Sequence, residues 1–391
     1  MGKIKIDNKW ILILYFGISF LTLVIYGNRS IFVASILSFI LIKRSKYKVV
    51  WLTLAILCTI GLIIFMKGDS SLGRLLVYKV SFSIFRDNWF FGCGLGEFGR
   101  VYLLEQANYF SKANFNQKEL LLADNTIFAF NDWFQLICET GIFGVISIFL
   151  FCYTLWKLNN FLNEARFFWP KVIFFTILIS ALFTHVFEKQ YIVMFLITVF
   201  FCSVFNKIDN EKIMSNLRLI FTMILIWGVI SEAKFIYQES KLTAGINLSN
   251  SGQFYLSNLI LGELRDSNDC NTECLFFYSR NCVKLDKIDE ALHTMLKVKQ
   301  QASNSMYYSL LADIYLAKNN FAESERNLIQ AIHMVPNRFE ERYKLLELYQ
   351  QKEDPINSSK VASAIVNLEV KVNSDRIHFI KQYCNQILNR D

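Results

Sequence analysis

Charge is scarce in this chain. Only 19% of its 391 residues are Asp, Glu, Lys or Arg, against about a quarter in an ordinary soluble protein, which argues against one conventional globular domain. The charge present is unevenly placed: residues 1–236 hold 23 Lys and Arg against 14 Asp and Glu, whereas residues 237–391 hold 18 against 19. The C-terminal part therefore lacks a cationic stripe, and the basic excess elsewhere lies between apolar runs, so nucleic-acid binding is disfavoured. Histidine is rarer still. There are four, none of them between residues 67 and 139, and that segment is thus without the commonest general base.

What the sequence has instead is hydrophobic length. Uncharged apolar runs occupy Trp10–Asn28, Ser30–Ile42, Val49–Met66, Thr140–Trp156, Val172–Phe187, Gln190–Phe205 and Leu219–Ser231. A helix needs roughly 20 residues to cross about 30 Å of hydrocarbon. The second and seventh runs are short, and Arg29, Lys43, Arg218 and Lys234 at their ends can snorkel to the interface. The expectation is seven spans. Lys3, Lys5, Lys9, Lys43, Arg44, Lys46, Lys48, Lys157, Arg166, Lys171, Lys207, Lys212 and Arg218 fall on one side, and only Arg29 and Lys189 occupy the alternate short loops. That asymmetry puts the N-terminus in the cytoplasm, with residues 67–139 and the C-terminal tail outside. The first run lacks a small-residue cleavage site, so it reads as a retained span and not as a signal peptide. Transport is disfavoured, because the runs hold almost no ionisable residues and show no inverted repeat.

From about Tyr237 the pattern becomes that of polar, amphipathic helices. Leu311, Ala312, Tyr315, Ala331 and Pro336 stand at tetratricopeptide spacing, and Tyr349 repeats Tyr315 after 34 residues. A degenerate unit around Asp286–Lys299 precedes them. Ser324 stands where the repeat prefers Ala and Leu346 where it prefers a small residue, which predicts loosened packing at both. Cys270, Cys274 and Cys282, with Cys384, are candidates for one or two disulfides outside the cell, with the pairing open. Their spacing fits no familiar zinc pattern. The fold class expected is all-α: a polytopic membrane domain of about seven spans followed by a tetratricopeptide-like solenoid. The divisions are 1–66 (three spans), 67–139 (exported loop), 140–236 (four spans) and 237–391 (helical tail).

The exported loop concentrates the unusual residues. It runs from Gly73-Arg74 through Gly92-Cys93-Gly94-Leu95-Gly96-Glu97-Phe98 and Ala123-Asp124-Asn125 to Asn131-Asp132-Trp133, and ends at Glu139-Thr140-Gly141-Ile142-Phe143-Gly144. The glycines lack the Lys-Ser/Thr of a P-loop and the strand and helix of a dinucleotide site. A sharp turn suits them better. In this order, and with Asn28-Arg29-Ser30 upstream, these segments resemble the bacterial O-antigen ligase and polymerase family, one branch of which has a tetratricopeptide tail.

The resemblance implies transfer of a glycan from undecaprenyl diphosphate to an acceptor hydroxyl at the periplasmic face of the inner membrane, with no metal or other cofactor. Arg29 and Arg74 match the family's important arginines and, with Lys79, are the expected diphosphate ligands. As membrane-interface anchors the arginines would need no substrate. Gly94, Gly96, Asn125, Asn131 and Gly141 complete the loop motif. Where family members commonly carry a His shortly before the residue matching Asn131, this chain has Phe128-Ala129-Phe130. Asp124, Asp132 and Glu139 are therefore the candidate bases, each equally suited to capping a helix or orienting an arginine. His185, in the fifth apolar run, reads first as a buried, hydrogen-bonded histidine and second as a residue with a catalytic part. Only one helix precedes Arg29, where the family has several. The expected partners are the lipid-linked glycan, the bilayer and an envelope protein docked on the tail. The rival expectation is a truncated, inactive membrane anchor that presents the repeat as a scaffold.

Overall fold

A computed structural model of the chain describes residues 15–17, 19–21, 29–42, 68–112, 115–161, 168–187, 211–267 and 270–389. Every regular element among them is an α-helix. They are α1 (Arg29–Ile42), α2 (Gly68–Asp87), α3 (Phe98–Ser111), α4 (Gln117–Leu122), α5 (Asp132–Thr140), α6 (Ile142–Phe161), α7 (Phe168–Ser180), α8 (Glu211–Asn250), α9 (Phe254–Asp266), α10 (Thr272–Lys284), α11 (Ile288–Gln301), α12 (Ser305–Ala317), α13 (Phe321–Met334), α14 (Phe339–Gln351), α15 (Pro355–Asn367) and α16 (Asp375–Leu388). The chain divides into two compact units. One comprises Met1–Arg74, Trp89–Gly92 and Phe128–Glu232; the other comprises Leu75–Asn88, Cys93–Ile127 and Ala233–Asp391. The units cut across the sequence divisions, because most of the 67–139 segment groups with the tail.

In the first unit α1 packs on α7. Small polar side chains fill their contact: Ser38 Oγ lies 2.6 Å from Thr176 Oγ1, and the Tyr15 hydroxyl reaches both at 3.2 and 2.5 Å. Serine and threonine let the backbones approach closely, and bonding among the hydroxyls removes the cost of burying them. Among the described residues no helix is both long and apolar enough to cross a membrane. The 14 residues of α1 and 13 of α7 rise only about 20 Å at 1.5 Å each, and the described helices do not supply the seven spans that hydropathy predicts. The runs Val49–Met66 and Gln190–Phe205, with most of Trp10–Asn28, lie outside the described residues.

The second unit is built on a turn that recurs. Gly252, Asp286, Asn319 and Glu353 all take positive φ, at 82°, 61°, 57° and 54°. In each case the next N–H reaches back five residues: Gln253 to Leu248 O, Lys287 to Cys282 O, Asn320 to Tyr315 O and Asp354 to Tyr349 O, at 2.8–2.9 Å. Numbers 252, 286, 319 and 353 are 34, 33 and 34 apart, so the helix pairs α8/α9, α10/α11, α12/α13 and α14/α15 are copies of one unit, and α16 packs on the last. Side chains start the helices cleanly, with Asn271, Asn304, Asn320, Asp354 and Ser374 accepting from the N–H groups of the first turns. Loosening at Ser324 is not found. Its hydroxyl donates to Ala312 O at 2.9 Å, as Ser257 does to Gly245 O at 2.7 Å in the first pair, and Leu346 is fully buried. A hydroxyl at this crossing bonds the facing carbonyl and keeps the two helices tight. Cys270 and Cys274 form a disulfide, whereas Cys282 and Cys384 are buried thiols.

Candidate active site

In the first unit Arg74, Asp132 and His185 are brought together at one turn, Ala181–Phe187, which follows α7. The sequence Asn131-Asp132 starts α5, with the Asn131 side chain accepting from Phe134 N at 3.0 Å. Asp132 then turns away from its own helix: Oδ2 accepts from the N–H groups of Val186 and Phe187 at 2.6 and 2.9 Å, while Asp132 N donates to Ala181 O at 2.8 Å. One residue thus ties both ends of the turn to the start of α5, the Phe187 end through its carboxylate and the Ala181 end through its backbone N–H. Arg74, in α2, donates from Nη1 to Phe183 O at 3.2 Å in the same turn, and its guanidinium lies 5.5 Å from the centroid of the Phe130 ring. His185 sits between aromatics, stacked on Phe128 at 4.3 Å and edge-on to Phe130 at 6.3 Å. Phe130 has φ 54°, a left-handed backbone that is costly for a bulky residue and marks strain at this site.

Arg74 and His185 are therefore both neighbours of Phe130, although 111 residues separate them in sequence. A guanidinium supplies fixed donors for phosphate oxygens, and an imidazole nitrogen can take a proton from a hydroxyl. From sequence His185 reads first as a buried histidine, with a catalytic part only as the second reading. The signal that points to it is the aromatic pair Phe128 and Phe130, which flanks an imidazole from another segment.

The remaining candidates are placed differently. Glu139 is buried in α5, accepting from Gln135 Nε2 at 3.0 Å. Gly141 ends α5 with φ 63° and crosses the 89–92 segment so closely that a Cβ on Gly92 would stand 2.2 Å from Glu139 C and O. Gly94 and Gly96 also take positive φ, at 107° and 75°, which fits the turn reading. Arg29 opens α1, and its side chain lies outside the described residues. Asp124, Asn125 and Lys79 belong to the second unit. Lys79 is engaged there by Tyr109 Oη at 2.7 Å and Glu119 Oε1 at 2.9 Å. These bonds hold the ammonium above the usual lysine range, and Tyr109 and Lys79 hold the Glu119 carboxyl below its own against the opposing effect of burial. Asp124 lies 3.7 Å from Arg338 Nη2.

No curated relative matches the chain. Two solved structures, described as MamA AMB-1 and MamA MSR-1, are similar to part of it at 15% identity and a TM-score of 0.32, covering 40% and 39% of this chain and 84% and 88% of theirs. Residues 11–149, which include Arg29, Arg74, the glycine turn and Gly141, match the family described as O-antigen ligase.

Proposed function

We propose that the chain is an O-antigen ligase-like or polymerase-like glycosyltransferase of the bacterial inner membrane, moving a glycan from undecaprenyl diphosphate to an acceptor hydroxyl at the periplasmic face. The observation that carries this reading is the convergence of Arg74 and His185 on Phe130 within a unit that includes most of the O-antigen ligase segment. In the reaction the acceptor oxygen bonds to the anomeric carbon as the carbon–oxygen bond to diphosphate breaks. The bonding pair leaves with undecaprenyl diphosphate, and the hydroxyl proton passes to His185. Arg74 stabilises the charge that accumulates on the departing diphosphate. Asp132 acts as a positioning residue, since it fixes the turn that bears His185 and Phe183.

Two observations support a membrane setting with an exported tail. Large apolar side chains stand exposed along α6 and α8, Phe149 at 72% and Trp227 at 70% among them, more than an aqueous surface tolerates in one stretch. The Cys270–Cys274 disulfide suits an oxidising compartment, in agreement with the tail's side in the charge-derived topology. Replacement of Arg74 by Ala should abolish long-chain glycan on the cell surface at unchanged protein level, and Arg74→Lys should restore little of it, because a lysine lacks the planar fork. An intact glycan ladder in the Ala variant overturns the reading.

A further inference from the structure

The second unit contains a feature that glycan transfer by Arg74 and His185 does not explain. The loop segment Leu120–Asn125, which includes the Ala123-Asp124-Asn125 triplet, is bound to the helical repeat by a dense set of polar contacts, all inside one compact unit. Asn337, in the link between α13 and α14, donates from Nδ2 toward three loop carbonyls: Leu120 O at 3.2 Å, Leu121 O at 2.9 Å and Ala123 O at 2.7 Å. Asn125 and Ser305 bond reciprocally, Asn125 Nδ2 to Ser305 Oγ at 3.0 Å and Ser305 N to Asn125 Oδ1 at 3.1 Å. Arg338 joins both, with Nη1 donating to Ser305 Oγ at 3.1 Å and Nη2 lying 3.7 Å from Asp124. From the other side Gln106, only 1% exposed, donates to Asp124 O at 3.0 Å and to Met334 O at 2.5 Å, and the Tyr102 hydroxyl donates to its Oε1. Helix α3 packs along α13, and Leu120 lies against the apolar core of α14–α16.

We infer that the helical repeat is the positioning element of the catalytic loop, with Asn337 and Ser305 as positioning residues that clamp the Ala123-Asp124-Asn125 triplet. The repeat face carrying Ser305, Met334, Asn337 and Arg338 is already occupied by the chain's own loop, so it is not the place where an envelope partner docks. The carbonyls of Ala123 and Asp124 lie past the end of α4 with no helix or sheet ladder to satisfy them, and side-chain donors from Asn337 and Gln106 do so here. The triplet ends three residues before Phe128 and five before Phe130. Fixing Asn125 lowers the conformational freedom of the few residues that lead into the aromatic pair. This inference rests on the glycan-transfer reading for its functional consequence but not for the clamp itself.

The test uses the full-length protein in its native membrane and reads two quantities, the rate of proteolytic cleavage within residues 115–127 and the surface glycan ladder. Asn337→Leu and, from the loop side, Asn125→Ala are each expected to raise the cleavage rate about tenfold, because removing either leaves polar groups of the contact unbonded. Long-chain glycan should fall with it while the repeat's thermal midpoint stays near wild type, and Asn337→Gln, which keeps an amide donor, should recover most of the glycan. Cleavage unchanged in both disrupting variants overturns the clamp. Raised cleavage with an undiminished ladder overturns the positioning role. Deletion of the whole gene without effect on the ladder overturns the glycan-transfer reading, and with it the positioning role, while the cleavage rates still decide the clamp.

Discussion

The Phe128 ring and the His185 imidazole lie stacked, 4.3 Å apart with 6° between their planes. Stacking fixes the imidazole plane, so that its nitrogens point in set directions at the ring edge. His185→Gln should therefore reduce long-chain glycan by two to four powers of ten, about the contribution of a general base, without lowering protein level. Phe128→Leu should reduce it less, about tenfold, by loosening the ring's orientation. A glycan ladder from cells carrying each variant, with an immunoblot of the membrane fraction, checks both.

Gly92 and Gly141 cross so tightly that neither has room for a side chain. A Cβ on Gly92 would meet the Glu139 and Thr140 backbone at 2.2–2.3 Å, and its φ of 75° is unfavourable for any other residue. Gly92→Ala should cost about 3 kcal/mol, the sum of overpacking and left-handed backbone, and folded protein in the membrane should drop sharply. Gly96 has the same φ but open space around it. Gly96→Ala should cost only about 1 kcal/mol and leave the yield nearly intact.

The repeat was partly legible in the sequence, and the physical reason lies in its turns. Tyr315 and Tyr349 are both aromatic, so their 34-residue interval shows. The equivalent Leu248 and Cys282 share backbone bonding with them but not side-chain chemistry, and the turn residues Gly252, Asp286, Asn319 and Glu353 have only positive φ in common. A backbone conformation met by four residue types leaves no motif. The site was less legible still. Arg74 stood out through the loop motif, but its relation to His185 depends on Asp132 bonding a turn more than 50 residues away, and no spacing encodes that. Asp124 reads as a candidate base because it is a carboxylate in a loop; its neighbour Arg338, over 200 residues on, also puts it at the loop–repeat contact, which no spacing announces.

The four equivalent turns predict substitutions of opposite sign. Glu353 takes φ 54° with a side chain, whereas Gly252 takes φ 82° without one. Glu353→Gly removes the left-handed penalty of 1–2 kcal/mol and loses part of that to the greater freedom of unfolded glycine, a net gain of about 0.5 kcal/mol. Gly252→Ala should instead destabilise by about 1 kcal/mol. Thermal unfolding of the full chain in detergent, followed by circular dichroism, should move up for the first and down for the second.

Glu341 gives the repeat a pH response. It is 4% exposed, its Oε2 has no hydrogen-bond partner, and the closest cation, Arg338 Nη1, is 3.8 Å from Oε1. Burial raises its carboxyl above the ordinary glutamate value, more than Arg338 and Lys344 lower it. Because the folded value is the higher one, nothing is lost below the unfolded pKa of roughly 4.3, where both states hold the proton. As pH rises past that point the unfolded chain ionises first, and the full cost is present above the folded pKa. Glu341→Gln should accordingly stabilise the repeat near neutrality by about 1 kcal/mol, the scale of an unsatisfied buried group, and the gain should vanish as pH falls toward 4. Urea unfolding of variant and wild type at several pH values measures the difference, and a gain that does not depend on pH would assign the effect to packing.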